Sequence, residues 1–243
     1  MILALNTSTR QCSIALLGMD RTVIAENLMS EGKGHFSGLM PAVDMLLTGS
    51  GFKPKDVKCV AVATGPGSFT GLRVGLSLAK GFCQALHIPV IGISSLRALA
   101  FQLPFSPYPI APVLSSRKGE VFTALFLWTR ENELQRKEKD NCFKLDALPS
   151  LFSETAVFIG NDFLNQGNLL KELVGSHAEI APPQCWQLNA SSVGALALAR
   201  LNAGDTDDPS ALIPRYYRPP DIRSIQGFPN PAVVATLAES ASR

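Results

Sequence analysis

The chain has 243 residues, of which 46% are hydrophobic and 17% are charged, and its formal net charge is +2 at pH 7. These proportions are typical of a globular protein with one large or two ordinary domains, and they exclude an intrinsically disordered chain. The weak positive charge does not indicate a nucleic-acid surface, and no charge-free apolar run is long enough to predict a transmembrane helix.

The cysteines and the first residues indicate the compartment. Five cysteines are spread widely along the chain without a C-x-x-C motif, which predicts reduced thiols rather than a disulfide framework. The opening residues, MILALNTS, read directly as a strand and lack the basic start and cleavage site of a signal peptide. Together these features predict a cytoplasmic protein.

The first half of the chain opens with a predicted meander of three strands and then alternates helices and strands. That order is typical of an α/β fold with crossover helices. The predicted elements are strands at Ile2–Asn6, Cys12–Leu17 and Thr22–Leu28, a helix at about His35–Leu47, a strand at Cys59–Ala63, a helix at about Thr70–Leu86, a strand at Pro89–Ile93 and a helix at about Leu96–Gln102.

The proline-rich segment Leu103–Pro112 predicts a boundary, after which the strand–turn–strand pattern restarts. The predicted domains are therefore residues 1–103 and 104–226, followed by a disordered tail at 227–243. The second half is predicted to contain strands at Ile110–Leu114 and Glu120–Trp128, a solvated hairpin loop at Arg130–Asp140, a strand at Val157–Gly160, a helix at Phe163–Val174 and a helix at Ser191–Asn202 with Ser191 as its N-cap.

The segment AVATGPGSFTGLR, residues 61–73, is the most informative motif. It predicts a buried strand, a glycine turn and a helix start, an order that points free main-chain N–H groups at an anion. The candidate anion-binding or nucleotide-like loop comprises Gly65, Gly67, Ser68 and Thr70. It matches neither the P-loop nor the dinucleotide fingerprint, because Thr70 stands where each pattern requires glycine.

The helix after this loop is apolar over most of its circumference. Its polar residues, Arg73, Ser77, Lys80 and Gln84, form one narrow stripe, which is typical of a helix buried on two sides. Gly71, Gly75 and Ala79 are spaced by four residues, which allows another helix to approach closely. Two interpretations are open: the helix is central to the core of this chain, or one of its faces meets a partner subunit.

The residues for metal or nucleotide chemistry are sparse. His35, His87 and His177 are far apart, so no paired-histidine metal site is predicted. In nucleotide-binding folds built from two such halves, each opening turn normally begins with an aspartate, but here Asn6 and Ser115 stand at those positions. Because Mg²⁺ on phosphates prefers anionic oxygen ligands, this pair argues against independent ATP hydrolysis. No cofactor and no metal are predicted.

Six segments resemble the TsaB family, also called YeaZ, in order and spacing: ILALNTST, HFSGLMPAVDMLL, ATGPGSFTGLRVGLSLAKG, VIGISSLRALA, RKGEVFTALF and PRYYR. The resemblance covers roughly residues 1–125 and the PRYYR block. It implies an actin-like, sugar-kinase (ASKHA) fold of class α/β, with two halves each opened by a β-meander. It also implies a noncatalytic subunit of the machinery that places threonylcarbamoyl on the tRNA adenosine next to the anticodon.

The resemblance further implies TsaD as the heterodimer partner and TsaE as a further member of the complex. It implies contact with tRNA only through that complex, and a homodimer when the chain is alone. The family meets its partner through the two helices of the first half. On the first helix the predicted core stripe comprises Phe36, Leu39, Met40, Val43, Leu46 and Leu47, which leaves Ala42 and Met45 off it. The predicted interface residues are Ala42, Met45, Gly71, Val74, Gly75, Leu78, Ala79 and Phe82.

Two other functions remain open at this point. One is a small-molecule kinase or ATPase of the same fold, which would need the carboxylates that Asn6 and Ser115 replace. The other is a metalloprotease-like enzyme, which would need paired metal ligands.

Overall fold

The computed structural model describes residues 1–29, 38–152 and 154–217, which form two five-stranded mixed sheets and six α-helices. The strands are β1 (Ile2–Asn6), β2 (Cys12–Leu17), β3 (Val23–Met29), β4 (Cys59–Gly65), β5 (Val90–Ser94), β6 (Ile110–Ser115), β7 (Glu120–Trp128), β8 (Leu134–Lys144), β9 (Ala156–Gly160) and β10 (Ala178–Ile180). The helices are α1 (Leu39–Gly49), α2 (Phe69–Leu86), α3 (Ser95–Phe101), α4 (Leu148–Leu151), α5 (Phe163–Val174) and α6 (Ala190–Asn202).

The first sheet has the order β3-β2-β1-β4-β5, with β1 antiparallel to β2 and parallel to β4. Every residue of β1, β2 and β4 is buried, because helices cover both faces of the sheet. Alternate residues of β1 therefore enter different cores: Leu3 and Leu5 pack towards α1 and α2, whereas Ile2 and Ala4 face the core shared with α3 and α6.

The second sheet repeats this topology. Its order is β10-β9-β6-β7-β8, so a three-strand antiparallel meander is again followed by two strands added in parallel beside the first strand. The same arrangement in both halves is the actin-like, sugar-kinase (ASKHA) fold, and the predicted α/β fold class is confirmed.

Helix α6 connects the two halves of the chain. Although it follows the second sheet in sequence, it contacts β1, β2, β4 and β5 of the first sheet as well as α3. Val193 and Ala197 are fully buried there, and a Cβ on Gly194 would collide with the side chain of Leu17. One face of the first sheet is therefore completed by residues about 190 positions away in sequence.

Several predicted elements are corrected by the structure. The charged segment Arg130–Asp140 was predicted as a loop, but most of it belongs to β8, which pairs with β7 and turns Leu134 and Asp140 inward. Strand β10 was not predicted. Ser191 is not an N-cap, because α6 begins at Ala190 and the Ser191 hydroxyl instead donates to Glu26 at 2.7 Å.

Other predictions hold or lie outside the described residues. The bounds of α5 and β7 are confirmed as predicted. Three predictions concern residues outside the described ranges: the helix start at His35 and Phe36, the last residues of the proposed second domain, and the tail at 227–243. The domain boundary at residue 103 stays a prediction. Within the described ranges, no helix combines the length and apolar character needed to span a membrane.

Candidate functional site

The glycine loop, Gly65–Thr70, packs directly against the turn that joins β1 to β2. The main-chain N–H of Ser68 donates to the carbonyl oxygen of Ser8 at 2.7 Å. Gly67 has a φ of 153°, and a Cβ at this position would collide with that same carbonyl group. Glycine is required at residue 67 because backbone packs on backbone there.

The start of α2 is held by two hydroxyl groups. Ser68 is its N-cap, and its side chain accepts a hydrogen bond from the N–H of Gly71 at 3.2 Å. The Thr7 hydroxyl donates to the carbonyl oxygen of Gly71 at 2.7 Å. The N–H groups of Ser68 and Gly71 thus bond within the chain. An anion held by Gly65, Gly67, Ser68 and Thr70 stays a prediction.

Asn6, at the end of β1, is fully buried and uses both ends of its amide. The Asn6 Nδ2 donates to the carbonyl oxygen of Leu188 at 2.9 Å. Its Oδ1 accepts from the Ser8 N–H at 3.0 Å and from the Ser8 hydroxyl at 2.7 Å. An amide fits here because the site presents donors on one side and a carbonyl acceptor on the other. A carboxylate would lack the Nδ2 donor and would lie against the Leu188 carbonyl oxygen, which would keep only the Ser13 hydroxyl as a donor.

The corresponding turn of the second half follows Ser115. The Ser115 hydroxyl accepts from Gln166 Nε2 at 3.1 Å, and its N–H donates to Asn161 Oδ1 at 3.2 Å. Arg117 and Lys118 are exposed at the tip of this turn. Both opening turns therefore begin with a neutral side chain that is hydrogen-bonded within the chain.

The PRYYR block, of which residues 214–217 are described, links the glycine loop to the second sheet. The N–H of Arg215 donates to the carbonyl oxygen of Thr64 at 2.8 Å. The Tyr216 ring stacks on Phe69 with 5.1 Å between ring centroids, and its hydroxyl accepts from Arg73. The Tyr217 hydroxyl donates to Asp140 of β8 at 3.0 Å. We call residues 214–217 the strap, because they hold the first turn of α2 against the opposite half.

The predicted partner face of α2 is corrected for three of its residues. Gly71, Gly75 and Ala79 are buried inside this chain, and a Cβ on Gly75 would collide with the Thr7 hydroxyl. The close approach predicted from their spacing exists, but the approaching group is the β1–β2 turn and not a helix of another subunit. Ala42 of α1 is likewise buried against the first sheet.

The remaining predicted interface residues are accessible. Val74, Leu78 and Phe82 are half-buried and form one line along α2 at four-residue intervals, while Met45 of α1 is 70% exposed. Met40, which was predicted as core, is 51% exposed, and Phe69 at the start of α2 is 42% exposed. We call Met45 of α1 and Val74, Leu78 and Phe82 of α2 the apolar face. Phe69 lies on another side of α2, where it stacks on Tyr216.

The metal-ligating side chains are scattered over the described part of the chain. His87 caps the C-terminus of α2, His177 lies in a short 3₁₀ turn after α5, and His35 lies outside the described residues. Across residues 1–29, 38–152 and 154–217, the structure places no group of three or more His, Cys, Asp or Glu side chains where they could hold a metal ion.

Comparison with known proteins identifies the family. A family model described as "TsaD: tRNA N6-adenosine threonylcarbamoyltransferase" matches residues 23–221. The Bacillus subtilis protein named tRNA threonylcarbamoyladenosine biosynthesis protein TsaB is 32% identical over 219 residues, which cover 89% of this chain and 93% of that protein. The chain belongs to the TsaB family. The Escherichia coli TsaB is 39% identical over 126 residues, or 51% of this chain and 53% of that protein.

Solved structures support the same fold for this TsaB-family chain. YeaZ from Pseudomonas aeruginosa superposes with a TM-score of 0.73 at 22% identity, covering 88% of this chain and 98% of that one. A second Pseudomonas aeruginosa structure, described as similar to peptidase YEAZ, gives a TM-score of 0.74 at 22% identity over 89% and 99%. At this identity the likeness shows the fold, and the word peptidase describes that protein.

Sequence reasoning missed two functional features of this TsaB-family chain. It did not foresee that Tyr216 and Tyr217 reach Phe69 and Asp140, because those contacts join segments 77 or more residues apart. It also placed Met40 in the core and Ala42 outside it. The only local signal for the strap was the pair of tyrosines flanked by arginines.

Proposed function

We propose that this chain acts in tRNA threonylcarbamoyladenosine biosynthesis as a noncatalytic subunit that binds TsaD and serves as its scaffold. Membership of the TsaB family supports the pathway, and the match to a TsaD model supports an architecture that resembles that of the partner. The neutral, hydrogen-bonded Asn6 and Ser115 support a role without nucleotide turnover.

The apolar face is the observation that carries the proposal. Helices α1 and α2, which pack on the same core beside the first sheet, present it, and methionine and aromatic side chains of this kind are enriched at protein interfaces. Uncovered apolar surface of this kind promotes association, so a partner subunit that covers it would stabilise the chain.

The same face supports a homodimer of the isolated chain. Without TsaD, a second copy of the chain would cover the apolar face, which gives a homodimer with a self-complementary interface. TsaE would join as a further member of the complex, and tRNA would be bound only through the complex. The chain itself would need no cofactor.

Co-purification with TsaD tests the interface. The variants Met45→Asp and Leu78→Asp place a charge on the apolar face, and each should weaken TsaD binding at least tenfold, since a buried unpaired charge costs several kcal/mol, or about tenfold in affinity for each 1.4 kcal/mol. Leu164→Asp is the matched control, because Leu164 is 88% exposed on α5 in the other half.

Light scattering of the isolated variants should show the homodimer shifting towards monomer for Met45→Asp and not for Leu164→Asp. Circular dichroism must show that each variant is folded. If folded Met45→Asp and Leu78→Asp both bind TsaD like the parent, the interface lies elsewhere and this part of the proposal fails.

ATP hydrolysis tests the noncatalytic role separately. The isolated protein should release no more phosphate from ATP than a control preparation that was taken through the same purification without this protein. Turnover that follows the protein peak through two successive columns would overturn the noncatalytic role while leaving TsaD binding intact.

A further inference from the structure

A cleft of about 540 Å³ is lined by four arginines from four different elements. Arg97 lies on α3, Arg136 on β8, Arg200 on α6 and Arg215 in the strap, so both halves of the chain contribute. No residue of the glycine loop lines this cleft, and no residue of the apolar face lines it either. It is a separate concave site at the β5 edge of the first sheet.

Two of the four guanidinium groups are anchored by carboxylates. Arg136 forms an ion pair with the buried Asp140. Arg200 bonds Asp205 at 2.6 Å and Asp207 at 3.0 Å, and these contacts raise its pKa further above the ordinary arginine value. Because these side chains are fixed, they would lose little rotamer entropy on binding a ligand.

The other two guanidinium groups have no carboxylate bonded to them in the described part of the chain. Arg97 donates to the main-chain oxygen of Leu134 at 3.3 Å. Glu133 stabilises the positive charge of Arg97 through a Coulombic interaction and makes no hydrogen bond to it. The side chain of Arg215 makes no hydrogen bond or ion pair to the described residues. Asp205 also lines the cleft, but it is paired with Arg200, and the four guanidinium groups still outnumber the three carboxylates that are bonded to them.

The arginines also disfavour one another's charge. Burial lowers the pKa of Arg97, and the neighbouring Arg200 lowers it further. Burial likewise lowers the pKa of Arg136; Tyr217 opposes that shift, whereas Arg97 and Arg215 add to it. A bound anion would remove this mutual repulsion, because it would interact favourably with all four groups at once.

We propose that this cleft binds the phosphate group of a small phosphorylated molecule. Guanidinium groups match phosphate oxygens with pairs of parallel N–H donors, and a cleft of this volume suits one small ligand. Leu196, Ala199 and Ala203 of α6 line the same cleft and would contact the less polar part of the ligand. The arginines converge on one cleft instead of following an extended track, which favours a small molecule over a nucleic-acid backbone.

Isothermal titration of the full chain with inorganic pyrophosphate, at low and high salt, tests the site. Arg97→Gln and Arg215→Gln should each weaken pyrophosphate binding about tenfold or more, as expected for the loss of a charge-assisted hydrogen bond. Arg130→Gln is the matched control, because Arg130 is exposed in the turn between β7 and β8 and does not line the cleft. It should bind like the parent.

A parallel titration with an unmodified tRNA transcript distinguishes the ligand class. Pyrophosphate binding that depends on Arg97 and Arg215 but not on Arg130 supports the proposal. Binding of tRNA alone, with the same arginine dependence, overturns it in favour of an RNA surface. No binding of pyrophosphate, or equal weakening by all three variants, overturns it as well. Arg215→Gln keeps the test decisive if Arg97→Gln fails to fold.

Discussion

The main-chain N–H of Ser68 donates to the main-chain carbonyl oxygen of Ser8 across 2.7 Å, so the β1–β2 turn and the glycine loop are bonded to each other. The turn begins with Asn6, at the position where two-half nucleotide-binding folds normally have an aspartate, and the glycine loop is the segment predicted to hold an anion. Here a carbonyl oxygen, which carries partial negative charge, lies at the loop where an anion would be held. The contact makes the loop a structural junction between two segments of the same chain.

Two glycines of α2 should respond in opposite directions when they are replaced by alanine, because only Gly75 lies at this junction. Gly75→Ala should lower the free energy of unfolding by about 1–3 kcal/mol, because its Cβ collides with the Thr7 hydroxyl that holds Gly71. Gly81→Ala, where nothing lies within 4 Å of the added Cβ, should raise it by about 0.5–1 kcal/mol through helix propensity. Urea unfolding followed by circular dichroism measures both.

A double-mutant cycle identifies the cause. If the collision with Thr7 dominates, Gly75→Ala should cost less in a Thr7→Ala background than in the parent, with a coupling of about 0.5–3 kcal/mol. Strict additivity of the two substitutions would show that Gly75 is constrained by something other than Thr7.

Asn6→Asp should destabilise the protein by about 1–3 kcal/mol at neutral pH, because it sets a carboxylate against the Leu188 carbonyl oxygen and removes the donor between them. We expect burial and the facing Leu188 carbonyl oxygen to raise the folded-state pKa of the new carboxyl group above its unfolded value of about 3.9, against the two Ser8 donors, which favour the charged form. The loss of stability is therefore smallest below the unfolded-state pKa, and it grows as the pH rises through the folded-state pKa.

Chemical denaturation of Asn6→Asp at pH 4, 5.5 and 7, each against the parent at the same pH, measures this penalty. A difference in stability that does not change with pH would mean that water or a backbone shift satisfies the carboxylate. The variant should not gain ATP hydrolysis, since the reacting groups must also be positioned.

The cysteines should divide into two classes in a thiol-modification assay. Burial raises the pKa of Cys12 and Cys83 to about 11 and that of Cys59 to about 12, so these three thiols should react only after unfolding. Cys142 and Cys185 are partly exposed and should react in the native protein. A native count of three or more rapid thiols would contradict the burial described here.

The same shifts predict a loss of stability at alkaline pH. The three folded-state pKa values lie above the ordinary thiol value of 9.0, so the unfolded chain releases these protons first. Stability should therefore fall as the pH rises from about 9 towards 11. Replacing Cys59 with alanine should reduce that slope, and an unchanged slope would assign it to other groups.

Tyr217→Phe should lower the free energy of unfolding by about 1–3 kcal/mol, because the buried Asp140 loses one of its hydrogen-bond donors. Tyr108→Phe is the matched control, since Tyr108 is exposed and its hydroxyl bonds to none of the described residues. Protease sensitivity of the strap should rise in Tyr217→Phe alone. Equal stability of the two variants would show that the Tyr217–Asp140 hydrogen bond contributes nothing to the stability of the fold.

Local patterns predicted those parts of the fold that depend on local physics. The repeated strand–turn–strand units, α5 and the helix after the glycine loop follow from apolar periodicity and turn residues. The spacing of Gly71 and Gly75 predicted a close approach by another helix, which is wrong because the β1–β2 turn packs there instead. It could not show that the approaching group is Thr7, because that contact spans more than 60 residues.

Strand β8 shows why other parts could not be predicted. Its charges of mixed sign are typical of a solvated loop, yet Asp140 is buried because Ser94 and Tyr217 donate to it and Arg136 pairs with it. Two of these partners come from distant segments, so no local pattern reveals them. The prediction of the interface residues on α1 contained a similar error. Met40 was predicted in the core and Ala42 on the surface, but the reverse holds, because α1 is rotated relative to the predicted stripe.

The packing of α6 on the first sheet has a consequence for synthesis of the chain on the ribosome. Strands β1 and β2 are made first, but the helix that covers one of their faces is complete only at Asn202. At about 5–20 residues per second, roughly ten seconds or more separate the two events. Throughout that interval the nascent chain holds an open apolar sheet face, so it is a natural client for a chaperone that binds hydrophobic segments as they emerge.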